Sequence, residues 1–365
     1  LLDKLRKELA GFEGETSWFH VSSLGEYEMA KPLIEELKKQ HPTLRIVLTF
    51  FSPSGYEVRK ENSVADFTFY LPLDTPKNAV QFVQIVNPIK VFFVKYDLWY
   101  NHLNAAKENG ANLMLVSAQF NASQSYFKWF GAAQRRALQL FDNVFLVDEA
   151  SKKLLSQIGV THTTVCGDTR YDRVMQNASI AQENKFVEEF KGDKQLIICG
   201  STWVEDEELL VQAISRLPDA KWLIAPHEVD WKNINRIKHL IPNAICFSNY
   251  RKSKTNVLIL DSVGLLNGFY KYADVAYVGG GFKTGLHNIL EATAFGTPTI
   301  FGPDTSRFPD AEELHEKGLA FKVNNATELI SRLQQLLSDK SDFKHQTLID
   351  LMQSRTGAPE AILEY

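Results

Sequence analysis

Glu26 is the first side chain along the sequence whose type and position suit catalysis. It ends the run Ser22-Ser23-Leu24-Gly25-Glu26, which follows a predicted strand and opens a predicted helix. A carboxylate at a strand end can serve as a general base, and Gly25 lets the backbone come close to a ligand. The same run fits S-x-x-E, a capping box in which Glu26 only accepts a backbone N–H. The local sequence leaves both roles open.

A second candidate site is the glycine-rich stretch 278–291. A predicted strand ends there in a loop expected to have free N–H groups, and a predicted helix N-terminus follows, an arrangement that favours a phosphate. The stretch matches neither G-x-x-x-x-G-K-[ST] nor G-x-G-x-x-G. Capping-box spacing between Asn288 and Glu291 makes a plain turn the alternative. The candidate binding residues are Gly279, Gly280, Gly281, Lys283, His287, Asn288 and Glu291.

Other predicted strand ends also carry polar side chains. Ser201 and Thr202 follow one strand and His227 follows the next. Hydroxyls there suit a phosphate or a sugar, although Ser and Thr are also common helix caps. Lys95 and Asp97 follow a strand in the first half, where Asp97 fits a capping role equally well. The histidines show no metal-ligand spacing and no G-x-S-x-G element is present, so we predict neither a metal centre nor a serine hydrolase.

Short apolar runs separated by helical patterns would position these residues, as in parallel sheets built from βαβ units. Residues 167–172 form the predicted hinge between two such sheets. Ligands of open α/β sheets bind at the carboxyl ends of strands, here expected to face each other across a cleft. The predicted strands are 16–22, 45–51, 67–71, 89–94, 112–117, 143–147 and 163–165, then 196–199, 222–225, 244–247, 257–260, 275–278, 299–301 and 321–323.

Composition narrows the class of protein. The chain has 365 residues, which is too long for one hydrophobic core. Its composition, 44% hydrophobic and 23% charged, is too apolar for a disordered protein. A net charge of −4 argues against a protein that binds nucleic acid by neutralising many phosphates. The three scattered cysteines give neither a disulfide framework nor a zinc motif. We therefore expect two globular domains in a reducing compartment.

One segment, residues 126–136, mixes aromatic side chains with cations. It contains Tyr126, Phe127, Trp129 and Phe130, followed by two arginines. This pattern is typical of an interfacial helix, and a core helix with a solvated basic edge is the alternative. No apolar run approaches the ~18 residues that span a membrane.

Taken in order, these motifs resemble the Kdo transferases, glycosyltransferases that move the acidic sugar Kdo from CMP-Kdo onto the lipid A precursor. The resemblance covers almost the whole chain. It rests on residues 22–26 for the family's S-x-G-E element, 98–101 for L-W-P-N, 167–172 for G-N-x-K-F-D, and on 201–202, 279–291 and 302–303.

The resemblance implies a GT-B fold: two Rossmann-like domains with parallel sheets facing across a cleft. Residues 1–170 would bind the acceptor, 171–343 would bind the CMP-sugar, and a C-terminal helix at 344–365 would pack back on the first domain. Glu26 would be the general base, with Ser22, Ser23, Gly25, Lys95 and Asp97 on the acceptor side. Ser201, Thr202, His227 and the candidates in 279–291 would bind the donor.

The chain departs from the family pattern where anions are expected to bind. Lys95 and Asp97 stand in the E-T-E-L-W element, and the P-R-H element has become Pro-His-Glu at 226–228, without its arginine. Gln119 and Gln124 occupy positions where arginines are usual. We expect compensation from Lys95, Lys283, Arg170 and Arg307.

The implied reaction inverts the anomeric carbon without a covalent sugar intermediate and needs no metal or cofactor. A lipid acceptor implies the cytoplasmic face of the bacterial inner membrane, and the absent initiating methionine suggests an anchor upstream of Leu1. No nucleic-acid partner is expected. The alternatives are another GT-B enzyme with a UDP-sugar donor, such as an N-acetylglucosaminyltransferase or an epimerase, and a nucleotide-sugar binding protein without turnover.

Overall fold

The computed structural model describes residues 1–12, 14–95, 97–251, 254–306, 308–339 and 343–365. The chain divides into two compact units. The N-terminal unit comprises Leu1–Arg173 and Arg355–Tyr365, and the C-terminal unit comprises Val174–Ser354. The division falls inside helix α8 (Thr169–Ser179), close to the predicted hinge.

The N-terminal unit is built on a seven-stranded parallel sheet of order β3-β2-β1-β4-β5-β6-β7. The chain winds outward from β1 in both directions, so the switch point lies between β1 and β4, where ligands of such sheets bind. The strands are β1 (Thr16–Val21), β2 (Arg45–Phe50), β3 (Phe67–Tyr70), β4 (Pro88–Val94), β5 (Asn112–Ala118), β6 (Asn143–Leu146) and β7 (Thr163–Val165).

Both faces of this sheet are covered, as parallel strands require. Every residue of β1 is buried, and neighbouring side chains point to opposite faces. Trp18 packs edge-on against Phe82 and Phe93, while Phe19 stacks on Phe92 with ring centroids 4.4 Å apart. The helices are α1 (Leu2–Leu9), α2 (Leu24–Gln40), α3 (Pro53–Arg59), α4 (Pro76–Val86), α5 (Tyr100–Glu108), α6 (Ala132–Leu138) and α7 (Glu149–Gln157), with a 3-10 turn at Ser125–Phe127.

The C-terminal unit has its own seven-stranded parallel sheet of order β10-β11-β9-β8-β12-β13-β14. Here the chain runs from β8 to β9 on one side and reaches β12 on the other, which puts the switch point between β8 and β12. The strands are β8 (Leu196–Thr202), β9 (Lys221–Pro226), β10 (Ile245–Cys246), β11 (Val257–Ile259), β12 (Val275–Val278), β13 (Thr299–Phe301) and β14 (Ala320–Lys322).

The helices of this unit, apart from α8, follow the βαβ alternation, with 3-10 turns at Phe247–Asn249 and Tyr270–Tyr272. They are α9 (Lys185–Lys191), α10 (Val204–Arg216), α11 (Trp231–Leu240), α12 (Leu266–Phe269), α13 (Leu290–Thr293), α14 (Pro309–Glu316), α15 (Ala326–Ser338) and α16 (His345–Gln353).

The segment 344–365, predicted as one helix that packs on the first domain, contains two helices. The ring of His345 at the start of α16 lies 2.8 Å from the Gly296 carbonyl, inside the C-terminal unit. Helix α17 (Ala358–Leu363) belongs to the N-terminal unit, where Ile362 joins the core beneath α2. Gly357, with a φ of 107°, adopts the left-handed conformation that separates the two helices.

Candidate active site

The predicted acceptor-side residues meet at the switch point of the N-terminal sheet. Ser22 follows β1, Glu26 lies in the first turn of α2, and Asp97 follows β4, which is paired with β1. Lys95 leaves β4 with a φ of 64°, a left-handed conformation that is uncommon for a residue with a side chain. Backbone strain of this kind concentrates at functional sites. The sheet thus brings together residues far apart in sequence.

Glu26 makes the capping contacts that its sequence motif allows. The Ser23 hydroxyl accepts the Glu26 N–H at 3.4 Å, and the Glu26 carboxylate accepts the Ser22 N–H. Burial is also the main cause that raises the pKa of Glu26, and the nearby charge of Asp97 raises it further. The Ser22 N–H and the electrostatic interactions with Lys95 and His20 oppose that shift. Both interpretations of the motif therefore have a physical basis.

Asp97 accepts hydrogen bonds from two donors and lies beside the His20 ring. The Ser22 hydroxyl donates to its carboxylate, Trp99 Nε1 donates to Oδ2 at 3.0 Å, and His20 Nε2 lies 3.0 Å from Oδ2. Burial by itself would raise the pKa of Asp97, but these hydrogen bonds and the electrostatic interaction with His20 outweigh it and lower that pKa. Ser22 consequently links two carboxyl groups whose pKa values are shifted in opposite directions.

His20 and Trp99 complete this network, although no sequence motif predicted a role for either residue. His20 is fully buried in β1, and its Nδ1 lies 2.9 Å from Thr49 Oγ1 on β2. A histidine within an apolar strand was the available signal, because a buried imidazole needs a polar partner. Gly25 is exposed, and a Cβ atom there would meet only Ser23 Oγ at 3.9 Å, so packing does not demand glycine at this position.

The glycine-rich stretch lies at the switch point of the C-terminal sheet, but its glycines serve internal packing. A Cβ on Gly279 would lie 2.5 Å from the Ser201 carbonyl oxygen, and one on Gly281 would lie 2.8 Å from Gly302. Gly280 has a φ of 92°, and a Cβ there would meet the Gly285 carbonyl oxygen at 2.3 Å. These clashes explain the glycines without a ligand.

The prediction that this loop offers free N–H groups is wrong at two positions. The Gly279 N–H donates to the Gly200 carbonyl, and the Gly280 N–H donates to the Asp206 carboxylate, each at 2.9 Å. The predicted helix is only the four-residue α13. Asn288 Oδ1 accepts the Leu290 N–H at 3.1 Å, and its amide lies 3.5 Å from Glu291, so both residues also serve the helix start.

Asp206 anchors this loop, a role that the sequence did not reveal. It is buried at the start of α10 and accepts hydrogen bonds from Tyr277 Oη, the Gly280 N–H and the Trp203 N–H, at 2.6 to 2.9 Å. Burial raises the pKa of Asp206, and these three donors oppose the rise. An acidic residue in the first turn of a helix usually interacts only with the helix dipole, so no sequence pattern indicated that Asp206 holds the loop.

The hydroxyl of Thr202, predicted to contact a ligand, is used inside the unit. It donates to Glu207 at 2.9 Å, and the Arg236 guanidinium pairs with the same carboxylate. Ser201 is partly exposed and adopts a φ of 52° at a bulge in β8. Of the two hydroxyls, Ser201 is therefore the better placed for a ligand.

His227 and His287 do come together, and Trp203 joins them. His227 stacks on both Trp203 and His287 with ring centroids 4.5 Å apart. Trp203 Nε1 donates to His287 Nε2 at 2.8 Å. Burial, and then the neighbouring His227, lower the pKa of His287 to about 4, so its ring is neutral at physiological pH.

The cations expected to compensate for missing arginines differ in availability. Lys283 is 73% exposed and pairs with Glu205 at 2.8 Å. Arg170 is committed to Asp168 through its guanidinium, at 2.6 and 2.7 Å. Arg307 lies outside the described residues. Lys95 is partly exposed beside Glu26 and acts on it electrostatically.

Among the residues that the structure describes, no group of three or more His, Cys, Asp or Glu side chains is placed to hold a metal ion. Within the same residues, no helix has both the length and the apolarity to cross a bilayer.

The segment 126–136 is not the continuous helix that was predicted. It consists of a 3-10 turn, a loop and α6, because the extended backbone of Lys128 ends the turn. Gly131 packs so closely that a Cβ there would lie 2.0 Å from the Ser125 carbonyl oxygen. Tyr126 is buried and Phe127 packs on the core. Trp129 is 91% exposed and Phe130 59% exposed, so only these two aromatics project outward.

Comparison with known proteins identifies the reaction class. The family model described as 3-deoxy-D-manno-octulosonic-acid transferase (kdotransferase) matches residues 4–173, and that of glycosyl transferases group 1 matches residues 181–349. The 3-deoxy-D-manno-octulosonic acid transferase of Aquifex aeolicus is 28% identical over 90% of this chain and 87% of its own length. That of Haemophilus influenzae is 25% identical over 99% of this chain and 91% of its own.

The solved structures agree on the fold. UDP-GlcNAc 2-epimerase from Neisseria meningitidis, bound to UDP-GlcNAc, superposes with a TM-score of 0.66 at 17% identity, covering 96% of this chain and 98% of its own. At that identity the likeness concerns the fold alone. The predicted fold class, two parallel-sheet Rossmann-like domains of the GT-B type, is confirmed. The chain is a glycosyltransferase and is similar to the Kdo transferases over almost its whole length.

Proposed function

We propose that this glycosyltransferase moves Kdo from CMP-Kdo to a hydroxyl of a lipid A precursor in lipopolysaccharide synthesis, with inversion at the anomeric carbon. The observation that carries the proposal is the carboxyl pair at the switch point of the N-terminal sheet. The pKa of Glu26 is raised and that of Asp97 is lowered. Carboxyls whose environments push their pKa values apart divide into a proton-transferring group and a fixed charge.

Glu26 is the general base in this proposal. As the acceptor O–H proton passes to the Glu26 carboxylate, the acceptor oxygen bonds to the anomeric carbon. The bond from that carbon to the CMP phosphate oxygen breaks, and CMP leaves with the electron pair. Attack from the face opposite CMP gives inversion. A positioned base contributes ~10²–10⁴-fold, or about 3–5 kcal/mol of barrier.

Asp97 is the fixed charge. Hydrogen bonds from Ser22 and Trp99 and the interaction with His20 lower its pKa, and its charge contributes to the raised pKa of Glu26, which makes Glu26 a stronger base. Ser22 couples the two groups because its hydroxyl bonds to Asp97 while its N–H bonds to Glu26. Ser23 and Gly25 shape the start of α2 around the base, and Lys95 supplies a cation for the acidic acceptor or the donor carboxylate.

The donor is assigned to the C-terminal unit, at the ends of β8 and β12. Ser201, His227, His287 and Asn288 are the proposed contacts, with Lys283 as an exposed cation. Thr202, Glu291 and the three consecutive glycines act by shaping the loop. CMP-Kdo is a substrate, and its single phosphate can be held by N–H groups and cations, so the proposal requires neither a metal nor a cofactor.

The lipid acceptor leads us to propose that the enzyme works at the cytoplasmic face of the bacterial inner membrane. Trp129 and Phe130 are exposed, and so are the cations Lys128 and Arg136 of the same segment, a combination that suits an interface with anionic headgroups. Flotation with anionic vesicles tests this contact. Trp129→Ser with Phe130→Ser should abolish low-salt retention, whereas Trp231→Ser, which removes another exposed tryptophan, should not. Equal retention of both variants would refute the contact.

Thermal-shift titration with CMP and with UDP tests the proposed function. A ligand at one hundred times its Kd stabilises by about 2.7 kcal/mol, which a melting curve resolves. We expect CMP to raise the Tm and UDP to leave it unchanged at equal concentration. The reverse preference would favour an enzyme with a UDP-sugar donor. CMP binding without any release of CMP from CMP-Kdo would favour a binding protein.

A further inference from the structure

Three aromatic rings form one assembly at the end of β8 in the C-terminal unit. The planes of Trp203 and His287 differ by only 9°, and their centroids are 6.2 Å apart. His227 stacks on both, with centroid distances of 4.5 Å and interplanar angles of 22° and 25°. Trp203 and His287 therefore lie nearly in one plane, joined edge to edge, and His227 covers one face of that plane.

The edge contact between Trp203 and His287 has a fixed chemical direction. An indole N–H is a donor only, so His287 Nε2, which lies 2.8 Å from Trp203 Nε1, must be the acceptor. A neutral imidazole that accepts at Nε2 carries its proton at Nδ1. The bond is incompatible with a proton on Nε2, and hence with the imidazolium form.

We propose that Trp203 is a positioning residue that holds His287 as the neutral Nδ1–H tautomer, so that His287 presents a neutral N–H donor to the anionic donor substrate. The identity of the ligand rests on the proposed function, whereas the positioning role of Trp203 and the tautomer of His287 go beyond it. No other hydrogen bond joins the His287 ring to a described residue, so the Nδ1–H is left for a ligand. The lowered pKa of His287 is consistent with the neutral ring.

The rest of the unit holds this arrangement in place. The Asp206 carboxylate accepts the Trp203 backbone N–H and the Gly280 N–H, and so fixes the tryptophan relative to the glycine-rich loop. The backbone N–H of His287 donates to the Gly279 carbonyl at 3.1 Å, which fixes the histidine to the same loop. A Cβ on Gly280 would lie 2.9 Å from His287 Cδ2, which shows how closely the ring packs on the backbone.

The tautomer is measurable in the unmutated chain without substrate. In ¹⁵N-labelled protein, long-range ¹H–¹⁵N correlation spectra distinguish a protonated from an unprotonated ring nitrogen, and His287→Ala identifies the His287 signals by their loss. We expect a protonated Nδ1 and an unprotonated Nε2 at neutral pH. An Nε2–H tautomer, or an imidazolium, would overturn the proposal. This outcome is independent of whether CMP binds or Kdo is transferred.

Trp203→Phe keeps an aromatic ring for the stack and removes the N–H. We expect the Nε2–H tautomer or the imidazolium of His287 to become populated and the Kd for CMP to rise about three- to tenfold, the effect of one lost hydrogen bond. Trp231→Phe, an exposed tryptophan of the same unit, should change neither. If Trp203→Phe keeps the Nδ1–H tautomer and the wild-type Kd, Trp203 has no positioning role.

Discussion

Replacing Glu26 by glutamine separates its two roles. Glutamine keeps an oxygen that accepts the Ser22 N–H, so the capping contact persists, but it cannot accept a proton. Loss of base catalysis should lower kcat by ~10²–10⁴-fold, about 2.7–5.4 kcal/mol at 1.36 kcal/mol per tenfold. With the cap retained, we expect the Tm to stay within about 2 °C of the wild type.

Glu26→Ala removes the cap as well. A lost capping contact costs ~0.5–1 kcal/mol, which corresponds to about 1–4 °C in Tm for a unit of this size. Both variants should lose transfer activity to a similar extent, while only the alanine variant melts earlier. Initial rates of CMP release and differential scanning calorimetry measure the two effects on the same samples.

Glu328 offers a matched control because it caps α15 in the same way. Asn325 Oδ1 accepts the Glu328 N–H, and the Glu328 carboxylate accepts the Asn324 N–H, at 3.0 and 2.9 Å. That carboxylate is exposed, and the Asn324 N–H lowers its pKa, the opposite direction to Glu26. Glu328→Gln should leave transfer unchanged. Near-normal transfer by Glu26→Gln would show that Glu26 is only a cap and would refute the assignment.

Other substitutions test the surroundings. Gly281→Ala should destabilise the C-terminal unit by ~1–3 kcal/mol through overpacking, as measured by calorimetry. Gly268→Ala, where a Cβ would meet no neighbour within 4 Å, should be neutral or stabilising. A normal Tm of Gly281→Ala with lost CMP binding would instead show that Gly281 lets a ligand approach the backbone. Asp97→Asn removes a charge that raises the pKa of Glu26, so the acidic limb of the kcat/KM–pH profile should move to lower pH; an unmoved limb refutes that coupling. Burial raises the pKa of Asp172 to about 6, above its unfolded value, so its ionisation destabilises the fold as pH rises through about 6. Asp172→Asn should therefore raise the Tm at pH 8 and have little effect at pH 4; equal Tm values at both pH values contradict this.

The strands were predictable because parallel strands buried on both faces leave continuous apolar runs. Each predicted strand overlaps an observed one, including the exact match of β7, β12 and β13. The structure of the C-terminal segment was harder to predict, because Gly357 splits it into α16 and α17, each of which packs on a different unit. Local sequence shows helical periodicity but not the core against which each helix packs.

The positions of the site residues at strand ends could be predicted from the sequence, but their chemical roles were harder to predict. The S-x-x-E motif encodes both a cap and a candidate base, and the choice depends on Asp97, which reaches Ser22 from 75 residues away. Glycines in 279–281 suggested a ligand, but their packing partners, Ser201 and Gly302, come from other strand ends. Asp206 was missed for the same reason, because its role is defined by donors on distant segments.

The decisive experiment is the transfer of Kdo itself. The chain is incubated with CMP-Kdo and a lipid A precursor, and the lipid is analysed by mass spectrometry while CMP release is followed. We expect the lipid to gain the mass of Kdo with an equal amount of CMP released, and Glu26→Gln to slow this gain by ~10²-fold or more at an unchanged Kd for CMP. An unchanged lipid mass in the presence of a folded, CMP-binding chain would contradict the proposed transfer of Kdo.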